Sequence, residues 1–339
     1  MTLKDIAREA GVSVQAVSAA LNSRGSSRVS PGLRTRIREI AREGGYTPSF
    51  GYRLMHGKKT RTAAVLISSE AMSQQEHIRN LVLELMLRMD SRGYVIYPGI
   101  MSSDAEANLA KVRELLQRGA EHFIFVGYPR GGGTIEKEIE KAGRLWISTS
   151  LERERHVYID SVGALTALWG FLRKKCGNGM RLLLSEEPAP RNSRIQALCR
   201  CFPEFPLEEN LRRFVRRFPG DFGGDDFAER EFRYGYAAAA RLLDGEPRIT
   251  GIACANDQMA LGVARRVLEQ GLIPGRDILL TGFNNDAALR NALVSISTAD
   301  HNWRKHCEIL IEGALTPGEF RKVLEPEVMI HEFGSRNRG

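Results

Sequence analysis

Thr2-Leu-Lys-Asp-Ile-Ala-Arg-Glu-Ala-Gly-Val-Ser13-Val-Gln-Ala-Val-Ser-Ala-Ala-Leu21 holds two amphipathic segments separated by a single glycine turn. Thr2 and Asp5 stand at capping-box spacing, and Leu3, Ile6, Ala7 and Ala10 recur at helical intervals behind them. Gly11 closes this first helix, because glycine takes the left-handed C-cap conformation freely. Ser13 caps a second helix whose Val17 and Leu21 face the core. Two short helices joined this way read as a helix-turn-helix. A third helix begins at Ser30-Pro31, with Leu33, Ile37, Ile40 and Ala41 forming one apolar stripe. Arg34, Arg36, Arg38 and Arg42 fall on its other faces.

Charge is concentrated in the same region. Residues 1–61 carry twelve Lys/Arg against four Asp/Glu, a surplus of +8 that equals the net charge of the whole chain. The remaining residues balance at 37 against 37. A basic head on a neutral body points to a polyanion for the head and a different partner for the body. A helix pair alone also serves as a structural cap; the concentrated charge favours DNA. In helix-turn-helix geometry the second helix enters the major groove, with Val14, Gln15, Ser18 and Ala19 placed toward base edges. Gln15 suits an adenine, and Val14 or Ala19 a thymine methyl. Ser13, Asn22, Arg24 and Arg28 suit phosphates, which set affinity rather than sequence.

The totals exclude several classes. A chain of 339 residues holds enough apolar material for two or three cores. No apolar run follows Met1, and none approaches the roughly 20 residues of a membrane helix, so a cytoplasmic protein with no membrane partner is expected. Cys176, Cys199, Cys201, Cys254 and Cys307 are scattered and lack zinc spacing; reduced thiols and no metal are expected. No serine or cysteine sits in a nucleophile motif and no acid–base constellation stands out, so neither an enzyme nor a cofactor is expected. Gly127-Tyr-Pro-Arg-Gly-Gly-Gly133-Thr134 imitates a phosphate loop, yet Gly133 occupies the lysine position, which leaves a permissive turn. Asp221, Asp225 and Asp226 fit no calcium loop.

From Thr62 onward, strands and helices alternate. Ala63-Ala-Val-Leu-Ile67, Tyr94-Val-Ile-Tyr97, His122-Phe-Ile-Phe-Val126 and Leu145-Trp-Ile147 read as strands of a first set, with helices through about residue 92, over Ala105–Gln117 and near 135–141. A second set begins with a helix after Asp160, then Met180-Arg-Leu-Leu-Leu184, Gly251-Ile-Ala-Cys254 and Ile278-Leu-Leu-Thr281, with a helix over residues 259–269. Such alternation implies parallel sheets covered by helices, with ligands outside the strand carboxyl ends.

The opening stretch, with Val29-Ser30 and Gly45-Tyr46-Thr-Pro-Ser49, resembles the start of the lactose-repressor (LacI/GalR) family of bacterial regulators. So does Gly251-Ile-Ala-Cys-Ala-Asn-Asp257-Gln-Met-Ala-Leu-Gly262 with Glu269-x-Gly271, Asp277-Ile278 and Gly282-Phe283, and Glu325-Pro-Glu-Val-Met-Ile330 resembles its closing strand. The likeness runs nearly end to end and is weakest over residues 163–232. It implies an α/β protein with an N-terminal helix-turn-helix three-helix head, a hinge, and a periplasmic-binding-protein-like body of two α/β subdomains. The head would span 1–49, the hinge 50–61 and the body 62–339. Within the body, one subdomain would comprise about 62–159 plus 299–325 and the other about 160–296 plus the tail, with crossings near 160, within 287–297 and in the tail.

The resemblance further implies a dimer on a pseudo-palindromic double-stranded operator, and a small sugar-like effector in the cleft between subdomains. In the hinge, Met55 matches the side chain that wedges into the minor groove, and Arg53 a neighbouring arginine. Tyr46 joins the DNA set. In the cleft, Arg194 matches an arginine that bonds sugar hydroxyls; Ser69, Asp160, Asn256, Asp257 and Asn284 are further effector candidates at strand ends, where helix capping is the competing role. Two departures matter. Ala19 stands where the family often has a long reading side chain, and Asn284 where it usually has aspartate, which accepts hydroxyl bonds with full charge. A ligand-independent regulator with a decayed cleft is the main alternative; a solute-binding receptor on the same body is disfavoured by the basic head.

Overall fold

In a computed structural model of the chain, residues 1–21, 29–46, 53, 59–246 and 248–331 are described. They form two compact units, Met1–Thr60 and Arg61–Gly339.

The first unit holds α1 (Leu3–Ala10), α2 (Val14–Leu21) and α3 (Pro31–Glu43). Thr2 and Asp5 close a reciprocal capping box, and Gly11 ends α1 at φ 67° with its N–H turned back on Ala7 and Arg8. Ser13 Oγ accepts the Ala16 N–H at 3.2 Å, so the next helix restarts after a single turn. Ile6, Val17 and Ile37, all fully buried, bring one residue from each helix into a shared core. Ser30 sits at the N-cap of α3 but its side chain makes no capping bond; the Pro31 ring, which fixes φ, starts that helix instead.

The second unit contains two lobes. In the first, β1 (Thr62–Ile67), β2 (Val95–Ile100), β3 (His122–Val126), β4 (Leu145–Ser148), β5 (Arg155–Ile159) and β11 (Phe320–Leu324) make a parallel sheet ordered β11-β5-β4-β3-β1-β2. Period-two alternation sends Ala63, Val65 and Ile67 into one core and Ala64 and Leu66 into the other, so helices cover both faces. Those helices are α4 (Glu70–Ser73), α5 (Glu76–Asp90), α6 (Ala105–Gln117), α7 (Gly132–Lys141) and, from late in the chain, α14 (Trp303–Leu315).

The second lobe builds on β6 (Met180–Leu183), β7 (Val215–Arg216), β8 (Gly251–Cys254) and β9 (Leu279–Thr281), parallel in the order β7-β6-β8-β9. Around it lie α8 (Ser161–Cys176), α9 (Ser193–Cys201), α10 (Leu207–Phe214), α11 (Phe227–Gly245), α12 (Asp257–Glu269) and α13 (Ala287–Arg290). Trp169, fully buried, anchors its core. An antiparallel pair, β10 (Thr298–Asp300) with β12 (Glu327–Met329), extends this lobe, because Ala299 and Ile296 belong to the same core.

The chain passes between lobes at Asp160, just after β5, and again beyond Leu324. The remaining passage falls at His301 and Asn302, later than the 287–297 expected from sequence. Bridges from Thr281 to Ser297 and from Asn284 to Asp300 hold the chain on the second lobe through β10. Among the described residues, no helix is long and apolar enough to cross a membrane.

Candidate nucleic-acid interface and ligand cleft

On the head, the first turn of α2 faces solvent. Val14 is 38% exposed although apolar, Ser13 and Gln15 are exposed, and Ser18 is half-buried beside them. Val17 and Ala20, three apart, bury one side of the helix, and Gln15 and Ser18, also three apart, share the side left outside. Ala19 falls between the two faces: it is half-buried and packs against the head core, so it presents little surface to a base edge. Tyr46 also packs on that core, its N–H bonded to Ala41 O at 2.8 Å. Arg36, Arg38 and Arg42 on α3 are exposed. Arg53 is half-buried, while Asn22, Arg24, Arg28 and Met55 lie outside the described residues.

In the body, the lobes are tied near the carboxyl ends of their sheets, where Glu76 accepts the Ala287 N–H at 2.9 Å and Arg230 donates to Gln74 at 2.8 Å; the carboxyl ends of open parallel sheets are where such folds bind ligands. Arg194, in the first turn of α9, sends Nε to Ala255 O at 2.9 Å, with Nη2 on the same oxygen. Burial lowers its pKa, against the Glu186 and Glu231 carboxylates, which raise it. Glu231, from α11, lies under this arginine; Ser185 Oγ donates to it at 2.8 Å and Asn256 Nδ2 at 2.7 Å. Burial raises the Glu231 pKa despite those two donors.

Four of the strand-end candidates make hydrogen bonds that serve the fold. Asn256 Oδ1 caps α12 by accepting the Met259 N–H at 2.9 Å, so its amide is engaged at both ends. Asp257 is fully buried and accepts from Asp286 N–H (2.8 Å) and Thr298 Oγ (2.7 Å), which ties the β9–β10 connection to α12. Burial pushes its carboxyl up to about 7. Ser69 Oγ caps α4 through Met72 N–H at 3.3 Å. Asp160 caps α8 through Oδ1 and Val162 N–H (3.0 Å), and is half-exposed at the crossing.

Asn284 behaves differently. It and Asn285 both have positive φ, 112° and 55°, a region asparagine tolerates better than most residues. The turn points Asn284 Oδ1 at His301 Nε2, which donates to it at 2.9 Å. His301 stacks on His77, ring centroids 4.6 Å apart and planes 16° apart, and meets the edge of Phe283 at 5.0 Å. This pair lines a half-open cavity of about 120 Å³, together with Leu81, Thr149, Tyr158, Trp303 and His306 among others. Sequence reading missed His77, His301, Trp303 and Glu231, because single residues from distant segments carry no spacing signal. Asp226 caps α11 and Asp221 holds Gly223 N–H, so that acidic loop is occupied with its own backbone. Among the described residues there is no cluster of His, Cys, Asp and Glu able to hold a metal.

Residues 2–49 match the family of bacterial regulatory proteins, lacI family, and residues 179–316 match the periplasmic binding protein-like domain. The catabolite control protein A of Priestia megaterium is 24% identical over 84% of this chain and 82% of its own. The ribose operon repressor of Haemophilus influenzae is 22% identical over 98% of each chain. Among solved structures, the lac repressor dimer bound to operator and the anti-inducer ONPF superposes with a TM-score of 0.68 at 19% identity, covering 98% of both chains.

Proposed function

Because the chain belongs to the lacI family of bacterial regulatory proteins, we propose that it is a sequence-specific DNA-binding transcription regulator, a repressor, and not an enzyme. It binds a pseudo-palindromic operator as a homodimer in the cytoplasm, and a small sugar or sugar derivative in the body cleft controls it. The observation that carries this reading is the solvent-facing first turn of α2, Ser13, Val14 and Gln15, within residues 1–61, which hold a +8 charge surplus equal to that of the whole chain. Gln15 and Val14 meet base edges, Ser18 flanks them, and Ser13 with the exposed arginines of α3 meets phosphates. Arg53 and Met55 contribute from the hinge, and Asn22, Arg24 and Arg28 from the loop after α2. The domain plan that follows is a head over 1–49, a hinge over 50–61 and an effector-binding body beyond.

In the body, Arg194 and Asn284 are the residues we assign to the effector, with Asp160 beside them at the crossing. Asn256, Asp257 and Ser69 support the cleft from behind. Ligand binding changes operator affinity to the extent that it favours one arrangement of the two lobes. Selection of operators from random duplex DNA with the full chain tests the DNA half of the proposal. The expected result is an enriched two-fold repeat; a pool that stays random after selection contradicts it. A ligand-independent regulator is favoured by one observation, the engagement of Asn256 and Asp257 within the protein, and operator affinity measured with and without ligand separates the two.

A further inference from the structure

Between α4 and α5 the chain turns a corner at Gln74 and Gln75, and three side chains near this corner reach from the first lobe to the second. Gln74 Oε1 accepts Arg230 Nη2, from the first turn of α11, at 2.8 Å. Glu76 Oε1 accepts the Ala287 N–H at 2.9 Å. His77 stacks on His301, which donates to Asn284. Residues 74–77 thus engage α11, α13 and the crossing at His301, three separate elements, from one short segment.

The Ala287 contact has a local cause. Ala287 is the first residue of α13, and the opening N–H groups of a helix find no partner inside it. Asp286, at the N-cap, makes no capping bond; its carboxylate accepts from Gln258 Nε2 at 3.2 Å instead. Glu76 of the other lobe does the capping. The corner that presents Glu76 is held from its own side: the Arg79 guanidinium donates to Gln74 O, the Gln75 N–H bonds Met72 O at 3.1 Å, and the Arg79 N–H bonds Gln75 O at 3.1 Å. A backbone already fixed gives up less entropy in making such ties than two free loops would.

We propose that residues 74–77 form a latch, holding the lobes together through the chain's own contacts and so setting the balance between lobe arrangements. Glu76 is its main positioning residue, because its bond is part-buried, whereas the bond between Arg230 and Gln74 lies in water, which weakens it. A ligand that favours another arrangement of the lobes must break the latch, and one that favours this arrangement is assisted by it. The strength of the latch therefore scales the response. The latch is independent of what the cleft binds; only its effect on operator affinity rests on the regulator reading above.

The tie is best removed from its second-lobe side. Asp286 has φ −60° and ψ 151°, the extended geometry of a residue before proline, and the first position of a helix accepts proline. Ala287→Pro deletes the N–H that Glu76 caps and is expected to leave the melting temperature within about 3 °C of the parent. Hydrogen exchange of the full chain is then read in the first lobe, at the amides of residues 75–79, where a rise of at least about tenfold is expected. Glu76→Ala should speed exchange at Ala287 from the opposite side even if the proline variant fails to fold, and Glu76→Gln, which keeps an acceptor, should restore most of the protection. Arg230→Ala should act in the same sense but more weakly. Exchange across the lobes that stays within about twofold of the parent in Ala287→Pro and Glu76→Ala overturns the latch. The variant combining Ala287→Pro with Arg230→Ala should also change operator affinity at least about fivefold. Unchanged affinity with faster exchange overturns the regulatory role of the latch. If the parent selects no operator the regulator reading falls, and the exchange result alone decides the latch.

Discussion

His77 and His301 stack face to face, 4.6 Å between ring centroids, and His301 passes the contact on to Asn284 through a 2.9 Å hydrogen bond. His77 stands on α5 of the first lobe and Asn284 on the second, so two neutral imidazoles join the lobes at the mouth of the cleft. Glu76, the neighbour of His77, adds a second tie by accepting the Ala287 N–H at 2.9 Å. Burial lowers the pKa of both stacked rings, that of His77 to about 4, and the Arg194 charge adds to the effect.

His306, buried at the base of the same cavity, is also held down to about 4 by burial. An imidazole with a lowered folded-state pKa stabilises the protein above its unfolded value near 6.5 and loses that contribution as pH falls through 4. At about 1.4 kcal/mol per pKa unit the loss reaches at most about 3.5 kcal/mol. Asp257 and Asp286, raised by burial to about 7 and about 6, act in the opposite sense: their contribution is present in acid and fades as pH rises. The difference between His306→Gln and the parent isolates the histidine, because glutamine keeps a donor for Val157 O. The melting-temperature gap should move in favour of the variant between pH 7 and pH 4.5; a gap that stays constant contradicts the assignment.

Asp257→Ala should destabilise the body by about 2–5 kcal/mol, because it strands the Asp286 N–H and the Thr298 hydroxyl in a fully buried site. Denaturant unfolding measures this directly. A loss below about 0.5 kcal/mol, with effector affinity reduced instead, would return Asp257 to the ligand set.

Gln15→Ala should relax base preference at one position of each half-site, at about 1–3 kcal/mol of discrimination, while affinity for random DNA stays the same. Binding arrays that show an unchanged sequence profile remove Gln15 from the reading face. Ala19, half-buried against the head core, should tolerate replacement by serine with the same profile.

For Arg194→Ala, the expected outcome is loss of the ligand-induced change in operator affinity, with affinity in the absence of ligand retained. Arg194→Lys should fail as well, since lysine cannot place two donors on Ala255 O and still face the cleft. An intact response in either variant refutes the role.

Much of this was legible in the residues. Thr2, Asp5, Gly11 and Ser13 carry their local chemistry in their spacing, and each forms the cap it suggests. Strands β1 to β4, β6, β8 and β9 follow from short apolar runs, whereas β5, β7 and β11, each carrying charged residues within a short span, do not. Ser30 shows the limit of such reasoning, because Pro31 alone starts the helix. Helix α11, which the sequence reading did not propose, carries Gly235 in its middle. In the fold it allows close approach, since a Cβ there would collide with the Met259 backbone, and Gly262 on α12 does the same against Phe232. The cleft was the least legible part. His77, Glu231 and His301 come together only through chain crossings that no local pattern announces, and Asn256 and Asp257 looked like ligands because cap and ligand residues share the same strand ends.

The most direct test of the central claim is operator affinity of the full chain, measured by fluorescence anisotropy with and without a saturating cleft ligand. An effector-controlled regulator predicts a change of about 5–150-fold, with the operator shifting ligand affinity by the same factor. Equal affinity under both conditions, with the ligand demonstrably bound, would contradict it.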